Sequence, residues 1–403
     1  MQVVFAYESQ VNRLAARLGL SPGEIRKRNA LRRGDVLPVG QRLETEVLLP
    51  ETIDTVLERV GPKPPPSGPR MAVGRGIASN MQSYGRLVWL NDSAAAWVGF
   101  QVDGSVTVRC GVPDIGGGQA STLAQIAAEV LGTSMRDVAV HFGDSSLTPL
   151  AGTTTATRQL LMSGNAVYVA SSILKRQLLD VVSADLGDPV ESLRLEGPEV
   201  VGPGGSVALV DALAACRRRN VPTEAIGTFF GPHGTAVETQ LATDRVFPDF
   251  TFGTHLCDVE VDLDTGKVRL MRYLAAHDVG RAINPLSVQG QISGGVVQGI
   301  GMALLEEVQV EAGVNLTGGL FQYLIPTFTD VPDVDAIVLE SGEGLGPFGA
   351  RGIGEPPIGP PSAAIASAVA DAVGAWPSRL PLTPERVLGL AAAAATPEHE
   401  SAS

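Results

Sequence analysis

Residues 254–276 read THLCDVEVDLDTGKVRLMRYLAA, and this stretch decides the fold class. Two runs rich in Val, Leu and Tyr, residues 254–261 and 267–276, flank the segment Asp264-Thr265-Gly266. β-Branched and aromatic residues favour strands, whereas Asp and Gly between two such runs favour a tight turn. The stretch therefore predicts a β-hairpin.

The sequence on either side of the hairpin predicts a pattern that occurs twice. After the hairpin, apolar spacing predicts a helix over 288–307, a strand near 336–340 and a helix over 362–373. The earlier half predicts strands over 89–112, a helix over 118–131, a strand over 138–142 and a long helix over 163–186. Strands and helices mix without a strict β-α-β alternation. The predicted class is therefore α+β, with mixed sheets and packed helices.

The segment 61–69, GPKPPPSGP, is the predicted linker, because proline removes backbone donors and fixes φ. We expect residues 70–390 to form the main domain, in two α+β halves over 70–250 and 251–390. The alanine-rich and then polar residues 391–403 are expected to form a flexible tail.

Residues 1–60 predict helices that precede the linker. Apolar residues recur at helical spacing from Phe5 to Leu18, and Ser21-Pro22-Gly23-Glu24 has the capping residues of a second helix. No strand precedes these helices in the sequence. They are therefore either the closing helices of a domain whose earlier portion lies elsewhere, or a small helical cap.

Composition indicates a globular protein that handles small molecules. The chain has 403 residues, 44% hydrophobic and 18% charged, with a formal net charge of −13. This charge argues against binding to nucleic acid or anionic membranes. No apolar run reaches the ~18 residues of a membrane span, and the first residues, MQVVFAYESQ, lack the apolar core of a signal peptide. We therefore expect a cytoplasmic protein with a small-molecule substrate.

The cysteines and histidines exclude several kinds of site. The three cysteines, Cys110, Cys216 and Cys257, are far apart and form no Cys-x-x-Cys pair, which excludes a disulfide framework and a four-thiolate metal site. The five histidines form no His-Glu-x-x-His motif, so a zinc hydrolase is not expected. Any redox centre must be organic, or held without protein thiolates.

Two polar, glycine-containing segments precede predicted helices in the first half. The segment Asp114-Ile115-Gly116-Gly117-Gly118-Gln119 lies between a strand and a helix, where free backbone N–H groups suit an anion, although a plain tight turn fits equally. The segment Gly152-Thr153-Thr154-Thr155-Ala156-Thr157-Arg158-Gln159 offers hydroxyls, backbone donors and a guanidinium to an anionic ligand. A run of helix-capping threonines is the alternative.

Two further segments lie in the second half. His277 and Asp278 begin a turn and are interpreted as turn or cap residues; the glycines of the following helix would let a backbone or a flat cofactor approach. Glu355 lies between Gly354 and Pro356 in the segment GPFGARGIGEPP. A carboxylate held on a stiff loop in apolar surroundings, where desolvation raises its pKa, suits a general base. A salt bridge from Glu355 to Arg351 is the alternative.

Taken together and in order, eight segments resemble the molybdenum-binding subunit of the xanthine dehydrogenase and aldehyde oxidase family of molybdenum hydroxylases. The resemblance covers nearly the whole chain. The segments are FAYESQVNRLAARLGLSPGEIRKRNAL (5–31), DIGGGQASTLAQIAAEVLG (114–132), TTTATRQLLMSGNAV (153–167), VEVDLDTGKVRLMRYLAAHDVGRAINP (259–285), VQGQISGGVVQGIGMALLEE (288–307), YLIPTFTDVPD (323–333), GPFGARGIGEPP (346–357) and PLTPERVL (381–388).

The resemblance implies a molybdopterin-type cofactor, whose dithiolene holds the molybdenum with no protein ligand to the metal. The family's catalytic glutamate lies in a Gly-x-Gly-Glu-Pro loop, which corresponds to Gly352-Ile353-Gly354-Glu355-Pro356. Glu355 is thereby implied as the catalytic base, which takes a proton from the water-derived oxygen. The resemblance also implies that Gly352, Ile353 and Gly354 bind the cofactor.

The same resemblance implies further cofactor-binding residues in the first half: Gly116, Gly117, Gly118 and Gln119, and Thr154, Thr155, Ala156, Thr157 and Arg158. Both loops depart from the commoner family patterns. Many relatives have Gly-Gln-Gly where this chain has three glycines, and Thr-Phe-Gly-Ser-Arg in place of the second loop. We therefore expect backbone contacts to matter more than side-chain contacts in both loops.

The resemblance also implies substrates and partners. The substrate would be an N-heteroaromatic (xanthine-like) compound or an aldehyde, and electrons would pass through the pterin to [2Fe–2S] clusters and FAD in partner subunits. Family subunits are usually nearly twice as long, and their Phe-Arg-Gly-Phe-Gly loop would lie just before Met1. A second polypeptide would then supply the N-terminal half, or Met1 follows a truncation or a misplaced start. The alternative function is a non-catalytic or truncated half that only assembles with partner subunits.

Overall fold

The computed structural model describes residues 2–90, 92–232 and 245–395. The helices are α1 Gln2–Leu18, α2 Pro22–Asn29, α3 Leu49–Val60, α4 Gln119–Leu131, α5 Asn165–Leu186, α6 Leu209–Arg218, α7 Pro285–Leu304, α8 Pro361–Val373 and α9 Pro384–Ala395. The strands are β1 Met71–Tyr84, β2 Ser93–Phe100, β3 Val106–Cys110, β4 Val138–Phe142, β5 Arg194–Glu196, β6 Glu199–Gly202, β7 Gly205–Ala208, β8 Glu224–Phe230, β9 Asp249–Asp262, β10 Val268–Asp278, β11 Val310–Glu311, β12 Val314–Asn315 and β13 Val334–Leu339. In this part of the chain, no helix has the length and apolar character needed to cross a membrane.

The predicted hairpin is confirmed as β9 and β10, which pair antiparallel at the centre of a four-stranded sheet. The strand order is β1-β9-β10-β13, with β1 antiparallel to β9 and β13 parallel to β10. Helix α8 packs on β1 and β9, and α7 packs near β10 and β13. The opposite face is covered by α3, through Ile53 and Val56 against Leu256 and Leu274. This unit, β1, β9, β10, α7, β13 and α8, is called the C-terminal repeat below.

The first half of the chain forms a second sheet of the same topology. Its order is β8-β2-β3-β4, with β2 antiparallel to β8 and β3, and β4 parallel to β3. Helix α5 packs on β8 and β2, and α4 packs on β4 and β3, as α8 and α7 do in the other unit. We call this unit, β2, β3, α4, β4, α5 and β8, the N-terminal repeat.

Glycine on the outer strand of each repeat allows the last helix to approach closely. A Cβ at Gly76 of β1 would lie 2.0 Å from the carbonyl oxygen of Ala364 in α8. A Cβ at Gly227 of β8 would lie 2.4 Å from the carbonyl oxygen of Ala166 in α5. Since real Cβ atoms do not approach an oxygen this closely, both glycines are required for the helix-on-sheet packing.

The α+β class is confirmed, as are the predicted helices and strands of both repeats. The strand β1 differs from the expected division, because residues 71–84 lie in the predicted first half but pair with β9 of the second. The N-terminal helices also have a sheet to cover, since α3 packs on β9 and β10. At the other end, α9 continues through Ala395, so the first five residues of the predicted tail are helical, and 396–403 lie outside the described residues.

Candidate functional site

A cavity of about 370 Å³ lies between the two repeats and is lined by four loops. Each loop lies shortly before a helix or runs into it: residues 112–119 lead into α4, 154–163 lead into α5, 281–284 precede α7, and 351–355 lie five residues ahead of α8. The equivalent loops of both repeats therefore meet at one place. The cavity brings together three segments that the sequence predicts as site loops, those of Gly116, Thr154 and Glu355.

Glu355 lines this cavity, and its carboxylate is held by Thr157 of the other repeat. The Thr157 hydroxyl donates to Glu355 Oε2 at 2.8 Å, and the Thr157 hydroxyl oxygen accepts the Glu355 backbone N–H at 3.2 Å. Among the described residues, no donor lies within hydrogen-bond distance of Oε1. Glu355 is exposed rather than desolvated, which corrects the expectation of an apolar surround and a desolvated carboxylate.

The glycines on either side of Ile353 have different surroundings. A Cβ at Gly352 would lie 2.5 Å from the carbonyl oxygen of Thr157, so this glycine is needed for contact between the repeats. A Cβ at Gly354 would have no neighbour closer than 3.9 Å, which leaves space on the cavity side. Ile353 is buried in the core formed with α7 and α8. Its side chain therefore anchors the loop.

The loop containing Thr157 has an unusual backbone. Ala156 and Thr157 both have positive φ, 51° and 52°, a conformation that β-branched residues rarely adopt. Thr154 donates to the carbonyl oxygen of Pro113 at 2.7 Å, which joins this loop to the one before α4. Thr155 lines the cavity and accepts the Arg158 N–H through its carbonyl.

Arg158 is fully buried and holds this loop in place. Its guanidinium forms a bidentate pair with Asp92, at 2.5 and 2.7 Å, and the other N–H groups donate to the carbonyl oxygens of Ala151, Thr153 and Ser93. All five N–H groups are therefore already used within the protein. Arg158 positions the loop, and the expectation that its guanidinium donates to an anionic ligand does not fit this geometry.

The glycine loop before α4 is filled by its own aspartate. Asp114 Oδ1 accepts the N–H groups of Gly116 and Gly118 at 3.0 and 3.3 Å, and its Oδ2 accepts that of Ala120 at 3.3 Å. These amides are not free for an external anion. An Asp two residues before a glycine run is a recognised turn signal, and this geometry fits the alternative of a plain tight turn. Gln119 remains available, because its buried Oε1 has no hydrogen-bond partner.

A buried ion cluster supports the Glu355 loop from behind. Arg351 pairs with Asp278 and donates to the carbonyl oxygen of Glu46 at 2.7 Å, and its Nε lies 3.8 Å from Asp249. Arg351 and Asp278 are both fully buried. Because the guanidinium is held by these partners, the alternative of a Glu355–Arg351 salt bridge is wrong.

The acidic and phenolic groups of this cluster have shifted pKa values. Burial raises the pKa of Asp249, and Arg351 and the hydrogen bonds from Thr45 and Tyr84 lower it only in part. Burial and the charge of Asp249 raise the pKa of Tyr84 well above its ordinary value. Tyr84 therefore remains a donor to Asp249, at 2.5 Å, while its oxygen accepts the Leu345 N–H at 3.0 Å.

The interpretation of His277 and Asp278 as turn or cap residues holds for Asp278 only. Asp278 Oδ1 accepts the Gly280 N–H at 2.9 Å and so closes a turn. His277 is not a turn residue. His277 is fully buried on β10, and its Nε2 lies 2.7 Å from Nε2 of His255 on β9. His255 Nδ1 in turn lies 3.0 Å from the Tyr273 hydroxyl. Burial lowers the pKa of His277 to about 3, and burial and the charge of His277 lower that of His255 well below its ordinary value.

The glycines of α7 serve protein packing. A Cβ at Gly295 would lie 2.6 Å from Cβ of Pro357, and one at Gly299 would lie 2.5 Å from Cβ of Pro361. The close approach predicted for this helix is therefore made by Pro357 and by Pro361, the first residue of α8. This contact fixes the position of the Glu355 loop relative to α7.

Comparison with known proteins now identifies the family. Residues 59–332 match the model of the molybdopterin cofactor-binding domain. The chain belongs to this family. Among curated molybdopterin proteins, it is 32% identical over 397 residues to the putative xanthine dehydrogenase molybdenum-binding subunit XdhA of Escherichia coli (strain K12), covering 96% of this chain and 52% of the relative. It is 30% identical over 395 residues to an aldehyde oxidoreductase of Megalodesulfovibrio gigas, covering 96% of this chain and 40% of that protein.

Among solved structures, quinoline 2-oxidoreductase of Pseudomonas putida 86 matches with a TM-score of 0.85 at 28% identity. The match covers 96% of this chain and 52% of that one. The chain therefore spans about half the length of these molybdopterin proteins.

The residues around the cavity fit a molybdopterin cofactor. Gln119 Oε1 is a buried acceptor without a protein partner, and open space surrounds the Cα of Gly116 and Gly354. A polar acceptor, exposed hydroxyls and glycine surfaces suit a flat heterocycle with amino and carbonyl groups. Gln119, Thr155 and the backbone around Gly354 are the groups that would hold the cofactor. Cys110, Cys216 and Cys257 are all buried and free.

Proposed function

We propose that this chain is the cofactor-binding half of a molybdenum hydroxylase. It would oxidise an N-heteroaromatic compound or an aldehyde with oxygen from water, releasing two electrons and two protons for each oxygen inserted. Similarity to a xanthine dehydrogenase subunit, an aldehyde oxidoreductase and quinoline 2-oxidoreductase supports this substrate range. Glu355 is the proposed catalytic residue.

The observation that carries the proposal is the state of the Glu355 carboxylate. Oε2 is held by the Thr157 hydroxyl, Oε1 accepts no hydrogen bond from the described residues, and Glu355 as a whole is exposed and lines the cavity. When bound, the molybdenum cofactor supplies a centre that accepts two electrons. Glu355 Oε1 accepts the proton of the water that provides the oxygen, and Thr157 keeps the carboxylate facing the cavity.

Partner chains are part of the same proposal. A second polypeptide would supply the half of the relatives' length that this chain lacks, and further subunits would contain [2Fe–2S] clusters and FAD. A [2Fe–2S] cluster takes four protein ligands, ordinarily four cysteines, and this chain has three, all isolated from one another. The electrons must then leave through groups that other chains hold.

Replacement of Glu355 tests the catalytic role. In the complex purified from its native source, Glu355→Gln is expected to abolish turnover of xanthine, quinoline and aldehyde substrates while the bound pterin and molybdenum stay at wild-type amounts. Glu311→Gln is the matched control, because Glu311 lies exposed on β11, outside the residues that line the cavity.

Two results would overturn the proposal. Normal turnover in Glu355→Gln would remove Glu355 from the reaction. A purified complex without molybdenum, by elemental analysis, would favour the non-catalytic alternative, in which the chain only assembles with partners.

A further inference from the structure

We infer that Thr157 is a positioning residue for Glu355, and that its hydroxyl serves this carboxylate instead of the cofactor. The inference rests on the proposed function only for the chemical role of Glu355. Two hydrogen bonds support it: the Thr157 hydroxyl donates to Oε2 at 2.8 Å and accepts the Glu355 N–H at 3.2 Å. One hydroxyl therefore binds the side chain and the backbone of the same residue.

This hydroxyl has little capacity left for a ligand. A threonine hydroxyl has one proton to donate and two lone pairs. The proton goes to Glu355 Oε2, and one lone pair accepts the Glu355 N–H. A cofactor could therefore only donate to the remaining lone pair. This differs from the resemblance, which implies Thr157 as a cofactor contact.

The backbone around Thr157 is built to hold this geometry. Ala156 and Thr157 both have positive φ, which costs conformational energy and persists only where neighbours impose it. The next residue, Arg158, is fixed in place, since its buried guanidinium binds Asp92 and the carbonyl oxygens on either side of Gly152. The strained turn thus directs the hydroxyl toward Glu355.

The opposite loop is shaped to receive it. Gly352 lies so close to Thr157 that a Cβ would be 2.5 Å from both the Thr157 carbonyl oxygen and its Cγ2. The two loops belong to different repeats, and α5 and α8 follow them. The contact therefore joins the repeats at the residue proposed as the base. With Oε2 fixed, Oε1 is the oxygen left to face the cavity.

Amide hydrogen exchange tests the contact without any activity measurement. Pro356 and Pro357 have no amide hydrogen, so a peptide covering 353–359 contains few exchanging backbone amides. The Glu355 amide is one of these few. In Thr157→Val, which keeps the shape and removes the hydroxyl, we expect the Glu355 amide to exchange about fivefold faster, the factor for one hydrogen bond. Thr157→Ser keeps the hydroxyl and should restore the slower rate.

A neighbouring threonine provides the matched control. Thr154→Val removes the bond from Thr154 to the Pro113 carbonyl in the same loop and leaves the Thr157–Glu355 contact in place. We expect no change at the Glu355 amide in this variant. A gain in exchange equal to that of Thr157→Val would show general loosening of the loop and would overturn the inference.

Pterin content separates the two roles of Thr157. In the purified complex, Thr157→Val should retain wild-type pterin, measured by fluorescence after release, and should lose kcat with little change in KM; Thr157→Ser should recover kcat. Loss of pterin with an unchanged Glu355 exchange rate would make Thr157 a cofactor contact and overturn the inference. A complex without molybdenum would overturn the proposed function and leave the exchange result standing.

Discussion

In the N-terminal repeat, an ion pair between Arg158 and Asp92 holds the loop before α5. In the C-terminal repeat, Arg351 holds the loop before α8 through an ion pair with Asp278 and lies near Asp249. Asp92 and Asp249 occupy equivalent places in the two repeats, whereas Asp278 lies at the end of β10. Asp92 immediately precedes β2 and Asp249 begins β9, and these are the equivalent strands of the two sheets. Both arginines are fully buried, so each repeat uses the same kind of ionic support for its site loop.

The repeats differ in how deeply this support is buried. In β9 all residues but the last are buried, because α3 and α8 cover opposite faces of the sheet. In the N-terminal repeat β4 is largely exposed, and Ile226 on β8 is 63% exposed. The Asp92 side chain likewise keeps 11% exposure, whereas Asp278 has none. The carboxylate proposed as the base thus lies on the more deeply buried repeat, and the hydroxyl inferred to position it lies on the other.

Replacement of the buried arginine of each repeat should reveal the largest difference in stability between the two supports. Arg351→Met leaves Asp278 buried without its partner, and we expect a loss of about 3–5 kcal/mol in the free energy of unfolding. Arg158→Met should cost about 2–3 kcal/mol, since water reaches Asp92. Urea unfolding of both variants measures the difference.

A surface arginine gives the baseline for this comparison. Arg59→Met breaks an exposed pair with Asp335 and should change stability by about 1 kcal/mol or less. Equal losses in Arg351→Met and Arg158→Met would contradict the claim that the C-terminal support is the more deeply buried.

Local patterns in the sequence were sufficient for the elements of both repeats except the outer strands β1 and β8. The run 254–276 predicted β9 and β10, and the Gly-Glu-Pro segment led to Glu355. Strand β1 was not predicted, because its glycines reduce strand propensity. Gly76 is required by the approach of α8, whose residue Ala364 lies about 290 residues away in the chain.

The errors at the site have the same physical origin. Arg158 beside a threonine run predicted an anion site, but its partner Asp92 is 66 residues away, and burial is not visible in the motif. His277 was interpreted as a turn residue because its neighbour His255 lies on another strand. Only Asp114 carried a local signal, as an aspartate that begins a glycine turn.

Acid should destabilise the C-terminal repeat through its buried histidine pair. The folded pKa values of His255 and His277 lie below the ordinary value near 6.5, so the unfolded chain takes up protons first as the pH falls. Their contribution to stability is complete above this value and is lost as the pH falls toward 3, the folded value for His277. Between pH 7 and 5.5 the free energy of unfolding should fall by roughly 2–3 kcal/mol because of the two histidines together.

Single histidine variants measure this contribution. His277→Gln removes one titrating ring and should reduce the pH-dependent fall by about half, as measured by urea unfolding at both pH values. His141→Gln is the control, because His141 lies exposed on β4 of the N-terminal repeat, and it should show the wild-type fall. An undiminished fall in His277→Gln would remove the buried pair as its cause.

The two glycines of the Glu355 loop test where the repeats touch, and the smallest effect is expected at the second of them, Gly354. Gly352→Ala places a Cβ against the Thr157 carbonyl, and we expect a loss of roughly 1–3 kcal/mol in unfolding free energy. In Gly354→Ala the added Cβ would have no neighbour closer than 3.9 Å, so the free energy of unfolding should change by less than about 0.5 kcal/mol. If the cofactor occupies that space, Gly354→Ala should instead lower the pterin content of the purified complex. A strong loss of stability in Gly354→Ala with full pterin content would mean that the junction extends beyond Gly352, and that the open side of the loop is filled by protein.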